Sequence, residues 1–113
     1  MPVVKDAVRV RHMLDAARKT VAFAKGRSRP DLDTDEQLTF ALVHLLEVVG
    51  EAAKGVSGPC RAQYADVPWK EIAGTRDRLI HGYFDIDLNV VWRIIADDLP
   101  PLIAQLERIV TTL

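Results

Sequence analysis

The chain has 113 residues, of which 49% are hydrophobic and 27% are charged, and its formal net charge is −1. This composition is typical of a globular domain rather than of a disordered segment. A single cysteine, Cys60, excludes an internal disulfide framework and a cysteine-rich zinc site. No apolar run is long enough to span a membrane, and the N-terminal segment lacks the apolar core of a signal peptide. We therefore expect one domain, residues 1–113, in a soluble cytoplasmic protein.

The charge is distributed unevenly along the chain. Residues 1–30 hold eight Lys or Arg and two Asp, whereas residues 31–113 hold seven Lys or Arg and fourteen Asp or Glu. Such asymmetry occurs where a basic surface binds nucleic acid or an acidic partner. It also occurs on a solvated helix face, since Arg is a good helix former. Composition alone leaves both interpretations open.

The N-terminal segment predicts a long helix from Val3 to about Lys25. Its apolar residues recur at alternating spacings of four and three, which places them in one stripe along a helix. The stripe consists of Val3, Ala7, Val10, Leu14, Ala17, Val21 and Ala24. Gly26 and Pro30 predict a break after this helix.

A second helix is expected to begin after Thr34 and to stop near Ser57. Thr34 is predicted as its N-cap, with Gln37 completing a capping box. Gly58 and Pro59 follow Ser57 and favour a helix end there. Residues 59–68 have no clear period and are interpreted as a connection. The predicted apolar face consists of Leu38, Ala41, Leu42, Leu45, Val48, Val49, Ala52 and Val56.

Two further helices complete the predicted fold. The third has Pro68 in its first turn and runs through His81, after which Gly82 offers an exit. Asp87 is the predicted N-cap of the fourth, and Pro100-Pro101 is expected to kink or divide that helix. No alternating strand pattern is present. The sequence therefore predicts an all-α bundle of four to five helices.

Most common catalytic and metal-binding signals are absent. The three histidines lie far apart in sequence, and there is no glycine-rich phosphate loop or G-x-S-x-G segment. Residues 31–35 resemble the start of a calcium loop, but Glu36 and Leu42 stand where that loop needs Gly and Glu. Asp85 and Asp87 could form a carboxylate pair for a metal, although helix capping explains Asp87 more simply. We therefore expect neither a metal nor a cofactor.

The segment RDRLIHGY carries the remaining chemistry. Arg76 can hold a phosphate through its planar guanidinium, and His81 can both accept and donate a proton near neutral pH. Together they suit a metal-free cleavage of RNA, in which the ribose 2′-hydroxyl attacks the adjacent phosphodiester. Such cleavage needs both a base and an acid, and two copies of the motif meeting across a two-fold axis would supply both.

A purely structural interpretation of the same residues also fits. Arg76 and His81 lie about 140° apart on an ideal helix, although a helix end near Gly82 could bring them together. A place in the last helical turn would favour the protonated form of His81 through the helix dipole. Alternatively, Arg76 pairs with Asp77 or Glu51, His81 caps a helix and Tyr83 packs. The spacing by itself does not decide between these interpretations.

The chain resembles the HepT-like proteins, the toxin component of HEPN/MNT toxin–antitoxin systems. Their R-x-x-x-x-H-x-Y signature is complete here, from Arg76 through His81 to Tyr83. Residues 48–57, 67–92 and 96–102 are also similar to their HepT counterparts in order and spacing. The resemblance implies an antiparallel HEPN-type bundle that dimerises and places two motifs in a shared cleft. It further implies a metal-independent endoribonuclease toxin of a type VII-like system, with cellular RNA (tRNA or mRNA) as its substrate.

The resemblance also implies roles for individual residues. Arg76 and His81 become the catalytic pair, and Tyr83 becomes the residue that a cognate MNT-type nucleotidyltransferase antitoxin modifies with AMP. Asp77 is a supporting polar residue that stands where the family commonly has Asn, so its charge could pair with Arg76 and weaken phosphate binding. Two alternatives stay open. One is a non-catalytic HEPN module that binds a nucleotidyltransferase, and the other is an RNA- or nucleotide-binding domain without cleavage.

Overall fold

The computed structural model describes residues 2–82 and 84–113, with side chains from residue 5 onward. Within these ranges most of the chain is helical. None of the described helices combines the length and the hydropathy that a bilayer-spanning segment requires. The elements in chain order are α1 (Pro2–Ala24), α2 (Asp31–Thr34), α3 (Glu36–Lys54), α4 (Gly58–Gln63), α5 (Trp69–Ala73), α6 (Thr75–Leu79), β1 (Ile80–His81), β2 (Asp85–Ile86), α7 (Leu88–Arg93), a π-helical segment (Ile94–Asp98) and α8 (Leu99–Val110).

The core lies where α1, α3 and α8 pack against one another. α1 is antiparallel to α3, because Asp6 near the start of α1 contacts Ser57 just beyond the end of α3. α8 packs along α1, where Arg18 pairs with Glu107 at 2.7 Å. The predicted all-α fold class is confirmed. The completely or almost completely buried apolar side chains include Val10, Met13, Leu14, Leu42, Leu46, Leu79, Val91, Leu99 and Leu106.

The buried face of α1 is broader than the predicted stripe. Val10 and Leu14 are buried as expected, but Val21 is 36% exposed, whereas Met13 and Thr20 are completely buried. The reason is that α1 packs against both α3 and α8, so residues on either side of the stripe also meet a neighbour. The buried Thr20 hydroxyl is satisfied by donating to the carbonyl one turn earlier, at 2.7 Å.

The start of α3 differs from the prediction by one residue. Thr34 is the last residue of the short helix α2, and Asp35 is the N-cap, with its carboxylate accepting from the Leu38 N–H at 3.0 Å. The predicted capping box of Thr34 and Gln37 is therefore wrong. The hydrogen bond from Leu38 and the pairing with Arg27 lower the pKa of the Asp35 carboxyl below its ordinary value of 3.8. The cap is accordingly a carboxylate at neutral pH.

The predicted connection at residues 59–68 contains a short helix, α4. Ser57 caps it by accepting from the Cys60 N–H at 3.3 Å, while its hydroxyl donates to the buried carboxylate of Asp6 at 2.7 Å. The Ser57 N–H also donates to Asp6, at 2.8 Å. Burial, and secondly the charge of Asp6, raise the pKa of the Cys60 thiol. A tertiary contact with α1 thus fixes the start of this helix, which is too short to display a period.

The third predicted helix is divided and shorter than expected. Gly74 separates α5 from α6, and the helix ends at Leu79 rather than passing through His81. Its start agrees with the prediction, since Pro68 is the N-cap of α5 and Trp69 is the first helical residue. The strands β1 and β2 follow and pair antiparallel, although no strand was predicted. A strand of two residues shows no recognisable alternation, so the sequence carries no signal for this hairpin.

The fourth predicted helix begins where expected. The side chain of Asp87 caps α7 by accepting from the Val90 N–H at 3.2 Å. The predicted division near Pro100-Pro101 is also observed, because the π-helical segment ends at Asp98 and both prolines lie in the first turn of α8. Proline has no backbone N–H to donate, so the regular hydrogen-bond pattern cannot continue through these positions.

Candidate active site

Helix α6 presents Arg76 and Asp77 to solvent from an anchored backbone. Thr75 and Leu79 on the same helix are 5% and 0% exposed, and they fix it against the core. Arg76 and Asp77 are both exposed. The helix ends because Ile80 is extended, and the Ile80 N–H still donates to the Arg76 carbonyl. The position of Arg76 is thereby defined while its guanidinium remains accessible to a ligand.

His81 lies outside the helix, on β1. The prediction that it occupies the last helical turn is wrong, since α6 ends at Leu79, and the helix-dipole argument does not apply. His81 pairs in register with Asp85, and Gly82 turns the chain at a positive φ of 76°. The His81 side chain is 62% exposed. The unfavourable angular separation of Arg76 and His81 on an ideal helix is therefore irrelevant, because only Arg76 is helical.

The carboxylate of Asp87 faces His81. Its Oδ2 lies 3.8 Å from Nε2 of His81, while the backbone N–H of Asp87 donates to the Leu79 carbonyl at 2.7 Å and closes the hairpin at its base. The sequence indicated a helix-capping role for Asp87, with a metal-binding pair formed with Asp85 as the alternative. The contact with His81 could not be found from the sequence, because it depends on the unpredicted hairpin between the two residues.

The ion pairs around the motif do not involve Arg76. No described carboxylate lies within the 4.0 Å ion-pair distance of its guanidinium. Glu51 pairs instead with Lys54 at 3.3 Å, and Arg78 pairs with Asp98 at 3.5 Å. Asp77 forms no ion pair with any described residue either. The alternative in which Arg76 is neutralised by Asp77 or Glu51 is thus not the arrangement found among the described residues.

The remaining residue of the motif, Tyr83, lies outside the described residues, and its role stays a prediction. Its neighbour Phe84 is described and is 75% exposed. The end of the hairpin therefore places a large aromatic side chain at the surface, next in sequence to the motif. An exposed aromatic ring can stack on an unpaired base.

The basic connection after α1 reaches the start of α7, beside the hairpin. Arg29 donates through Nε to the Asn89 side chain at 2.7 Å, two residues beyond Asp87. Arg29 also pairs with Asp33 at 3.1 Å, and Arg27 pairs with Asp35. Acidic neighbours thus offset the charge of this part of the basic segment, as expected for a solvated surface.

The other histidines are separate from the motif. His12 and His44 line an open pocket of about 380 Å³ that is formed by α1 and α3 residues. Throughout residues 2–82 and 84–113, no group of three or more His, Cys, Asp or Glu side chains is placed to hold a metal ion. The pair Asp85 and Asp87 belongs to no such group.

A family model described as "Ribonuclease HepT-like" matches residues 13–109, which is most of the chain. The chain therefore belongs to the ribonuclease HepT-like family, as its sequence motif indicated. The matched range includes α6, the hairpin and α7, and so contains the whole candidate site.

Two relatives agree with this membership. A protein named "Putative RNase TTE0752", from Caldanaerobacter subterraneus subsp. tengcongensis, is 40% identical over 98 residues, which cover 87% of this chain and 88% of the relative. A protein named "Probable ribonuclease HepT", from Thermococcus cleftensis, is 35% identical over 79 residues, which cover 70% of this chain and 72% of the relative. No solved structure was found to match the chain.

Proposed function

We propose that this protein is a metal-independent endoribonuclease that acts as the toxin of a HEPN/MNT toxin–antitoxin system in the cytoplasm. The observation that carries the proposal is that Arg76 and His81 are both exposed and close in sequence, with an anchored backbone at each end of the segment. Membership of a ribonuclease family supports RNA as the substrate. The names of both relatives support the same class of activity.

The proposed reaction is an internal transesterification of RNA. The ribose 2′-oxygen forms a bond to the adjacent phosphorus, and the bond from phosphorus to the 5′-oxygen of the next nucleotide breaks. A neutral His81 accepts the 2′-hydroxyl proton, and a protonated histidine supplies a proton to the leaving 5′-oxygen. Arg76 stabilises the additional negative charge on the phosphoryl oxygens in the transition state.

A homodimer would supply the second histidine. Each chain contributes one His81, so a base and an acid act together only where two copies of the motif share a cleft. In such a cleft the two histidines exchange roles after each turnover, because the base ends protonated and the acid ends neutral. The exposure of His81 and Arg76 in the single chain is compatible with a site completed by a second copy.

Tyr83 is the proposed control point. A cognate MNT-type nucleotidyltransferase would transfer AMP from ATP to the Tyr83 oxygen, with release of pyrophosphate. The added AMP would bring bulk and negative charge to a position two residues from His81 in the sequence, and this group would repel and block RNA. Gly82 and Phe84, the residues on either side of Tyr83, are both exposed, which supports access by a modifying enzyme.

The test is cleavage of total RNA by purified protein in EDTA, beside Arg76→Ala and His81→Ala. Mass spectrometry must first show that Tyr83 carries no AMP, since a modified sample would be inactive for another reason. We expect cleavage by the wild type and a loss of about 100-fold or more in each variant, because acid–base catalysis and oxyanion stabilisation each contribute at least that much. Both side chains are exposed, so the variants should fold normally.

Absence of cleavage by unmodified wild type would contradict this proposal. It would favour the non-catalytic module that binds a nucleotidyltransferase. RNA binding that is salt-dependent and unaffected by His81→Ala, without any cleavage, would instead favour the RNA-binding alternative.

A further inference from the structure

The two carboxylate oxygens of Asp87 make different contacts. Oδ1 accepts from the Val90 N–H at 3.2 Å and caps α7. Oδ2 lies 3.8 Å from Nε2 of His81. The Asp87 backbone is held separately, by its hydrogen bond to the Leu79 carbonyl at 2.7 Å. The cap bond holds the Asp87 side chain and the bond to Leu79 holds its backbone. Oδ2 is therefore kept in a fixed orientation facing the imidazole of His81.

The geometry points to Asp87 as a positioning residue for His81 in the proposed RNA cleavage, and the inference rests on that proposed function. A carboxylate beside Nε2 favours the ring form with its proton on that nitrogen. Nδ1 is then the nitrogen that exchanges protons with RNA. As His81 accepts the 2′-hydroxyl proton, the positive charge that develops on the ring is stabilised by Asp87.

The size of this effect is limited by solvent. The side chains of His81 and Asp87 are 62% and 34% exposed, and 3.8 Å exceeds the length of a strong hydrogen bond. A buried orienting carboxylate contributes up to about 10⁴-fold in rate. For this half-exposed pair we expect a contribution of about tenfold.

The informative variant is Asp87→Asn. Asparagine is as good an N-cap as aspartate, since its side-chain oxygen still accepts from the helix, so α7 should remain capped. Only the negative charge facing Nε2 is removed. Asp85→Asn is the matched control. It removes the same charge from the same hairpin, and the Asp85 carboxylate lies beyond the 4.0 Å ion-pair distance from His81.

We expect kcat for RNA cleavage to fall about tenfold in Asp87→Asn, with KM unchanged, because Asp87 acts on the proton step rather than on RNA binding. Asp85→Asn should leave kcat close to the wild-type value. The thermal unfolding temperature of both variants should match that of the wild type. Equal kcat in Asp87→Asn and wild type would overturn the positioning role and leave the ribonuclease proposal intact.

A second readout does not depend on activity. In ¹⁵N spectra of unmodified protein, the imidazole nitrogens of His81 should shift in Asp87→Asn, with a larger share of the ring protonated on Nδ1. They should not shift in Asp85→Asn, and His12 and His44 serve as internal references. An unchanged His81 signal in Asp87→Asn overturns the inference. A wild type that cleaves no RNA contradicts the proposed function alone, and the spectra then decide whether Asp87 orients His81.

Discussion

On α6, the side chains that are proposed to act on RNA are exposed, whereas those that hold the helix in place are buried. Thr75 and Leu79 are buried, whereas Arg76 and Asp77 between them face solvent. The helix therefore keeps one face in the core and offers the other to a ligand. An arginine without a carboxylate partner among the described residues retains its full charge for a phosphate.

The negative charge of Asp77 should have a measurable effect on RNA binding. Its charge stands next to Arg76 without pairing to it, so it should repel the RNA backbone rather than block the guanidinium. We expect Asp77→Asn to strengthen RNA binding about threefold at low salt, since charges several ångströms apart at a surface interact weakly. The gain should vanish at high salt.

The measurement is the dissociation constant of His81→Ala for RNA, with and without Asp77→Asn, across a salt series. The His81→Ala background prevents cleavage during the titration. Asp15→Asn, which changes an exposed carboxylate on α1, is the control and should leave binding unchanged. A larger dissociation constant with Asp77→Asn than without it would mean that Asp77 supports RNA binding rather than opposing it.

Between elements, a close approach of α3 to the α5–α6 junction positions the site. A Cβ on Gly50 of α3 would lie 3.0 Å from the Ile72 carbonyl oxygen and 3.3 Å from Cβ of Thr75. Thr75 immediately precedes Arg76, and its hydroxyl donates to the Ile72 carbonyl at 2.6 Å. Glycine at position 50 therefore permits a backbone contact that fixes the start of α6.

We expect Gly50→Ala to lower the free energy of unfolding by about 1 kcal/mol, because overpacking costs about 1–3 kcal/mol and the gain in helix propensity offsets about 1 kcal/mol. RNA cleavage should fall as well, since α6 must shift. Gly58→Ala is the control, because a Cβ there meets nothing within 4 Å. Urea unfolding measures the stability of the two variants, and the cleavage assay in EDTA measures their activity. Wild-type stability and activity in Gly50→Ala would show that the junction adapts without cost.

Long elements were predictable from the sequence and short ones were not. The period of apolar residues located α1, α3 and the α7–α8 region within a few residues, because several turns repeat the signal. α2 and α4 have four and six residues, and each strand of the hairpin has two. The start of α4 is fixed by the contact of Asp6 with Ser57, two residues that lie far apart in the chain.

The residues of the candidate site could be predicted from the sequence, but their arrangement could not. Arg76, Asp77 and His81 lie within a contiguous motif, so the sequence identified them directly. It misplaced His81 on a helix, because the helical pattern continues smoothly into Leu79 and Ile80. The proximity of Asp87 to His81 required the hairpin register, which a two-residue strand does not encode in its pattern.

At the scale of the whole molecule, one chain provides half of the proposed acid–base machinery. Cleavage activity per chain should therefore fall on dilution below the dimer dissociation constant, with the midpoint matching that of the mass measured by light scattering. Constant activity per chain in a sample that is monomeric by mass would contradict the shared cleft.

The most direct test of the central claim is the chemistry of the new RNA ends formed in EDTA. Attack by the ribose 2′-hydroxyl leaves a 2′,3′-cyclic phosphate on one fragment and a 5′-hydroxyl on the other. We expect mass spectrometry of the fragments from unmodified wild-type protein to show these ends, and Arg76→Ala and His81→Ala to produce none above background. Fragments with 5′-phosphate and 3′-hydroxyl ends would contradict the account, since water rather than the 2′-hydroxyl would then be the attacking group.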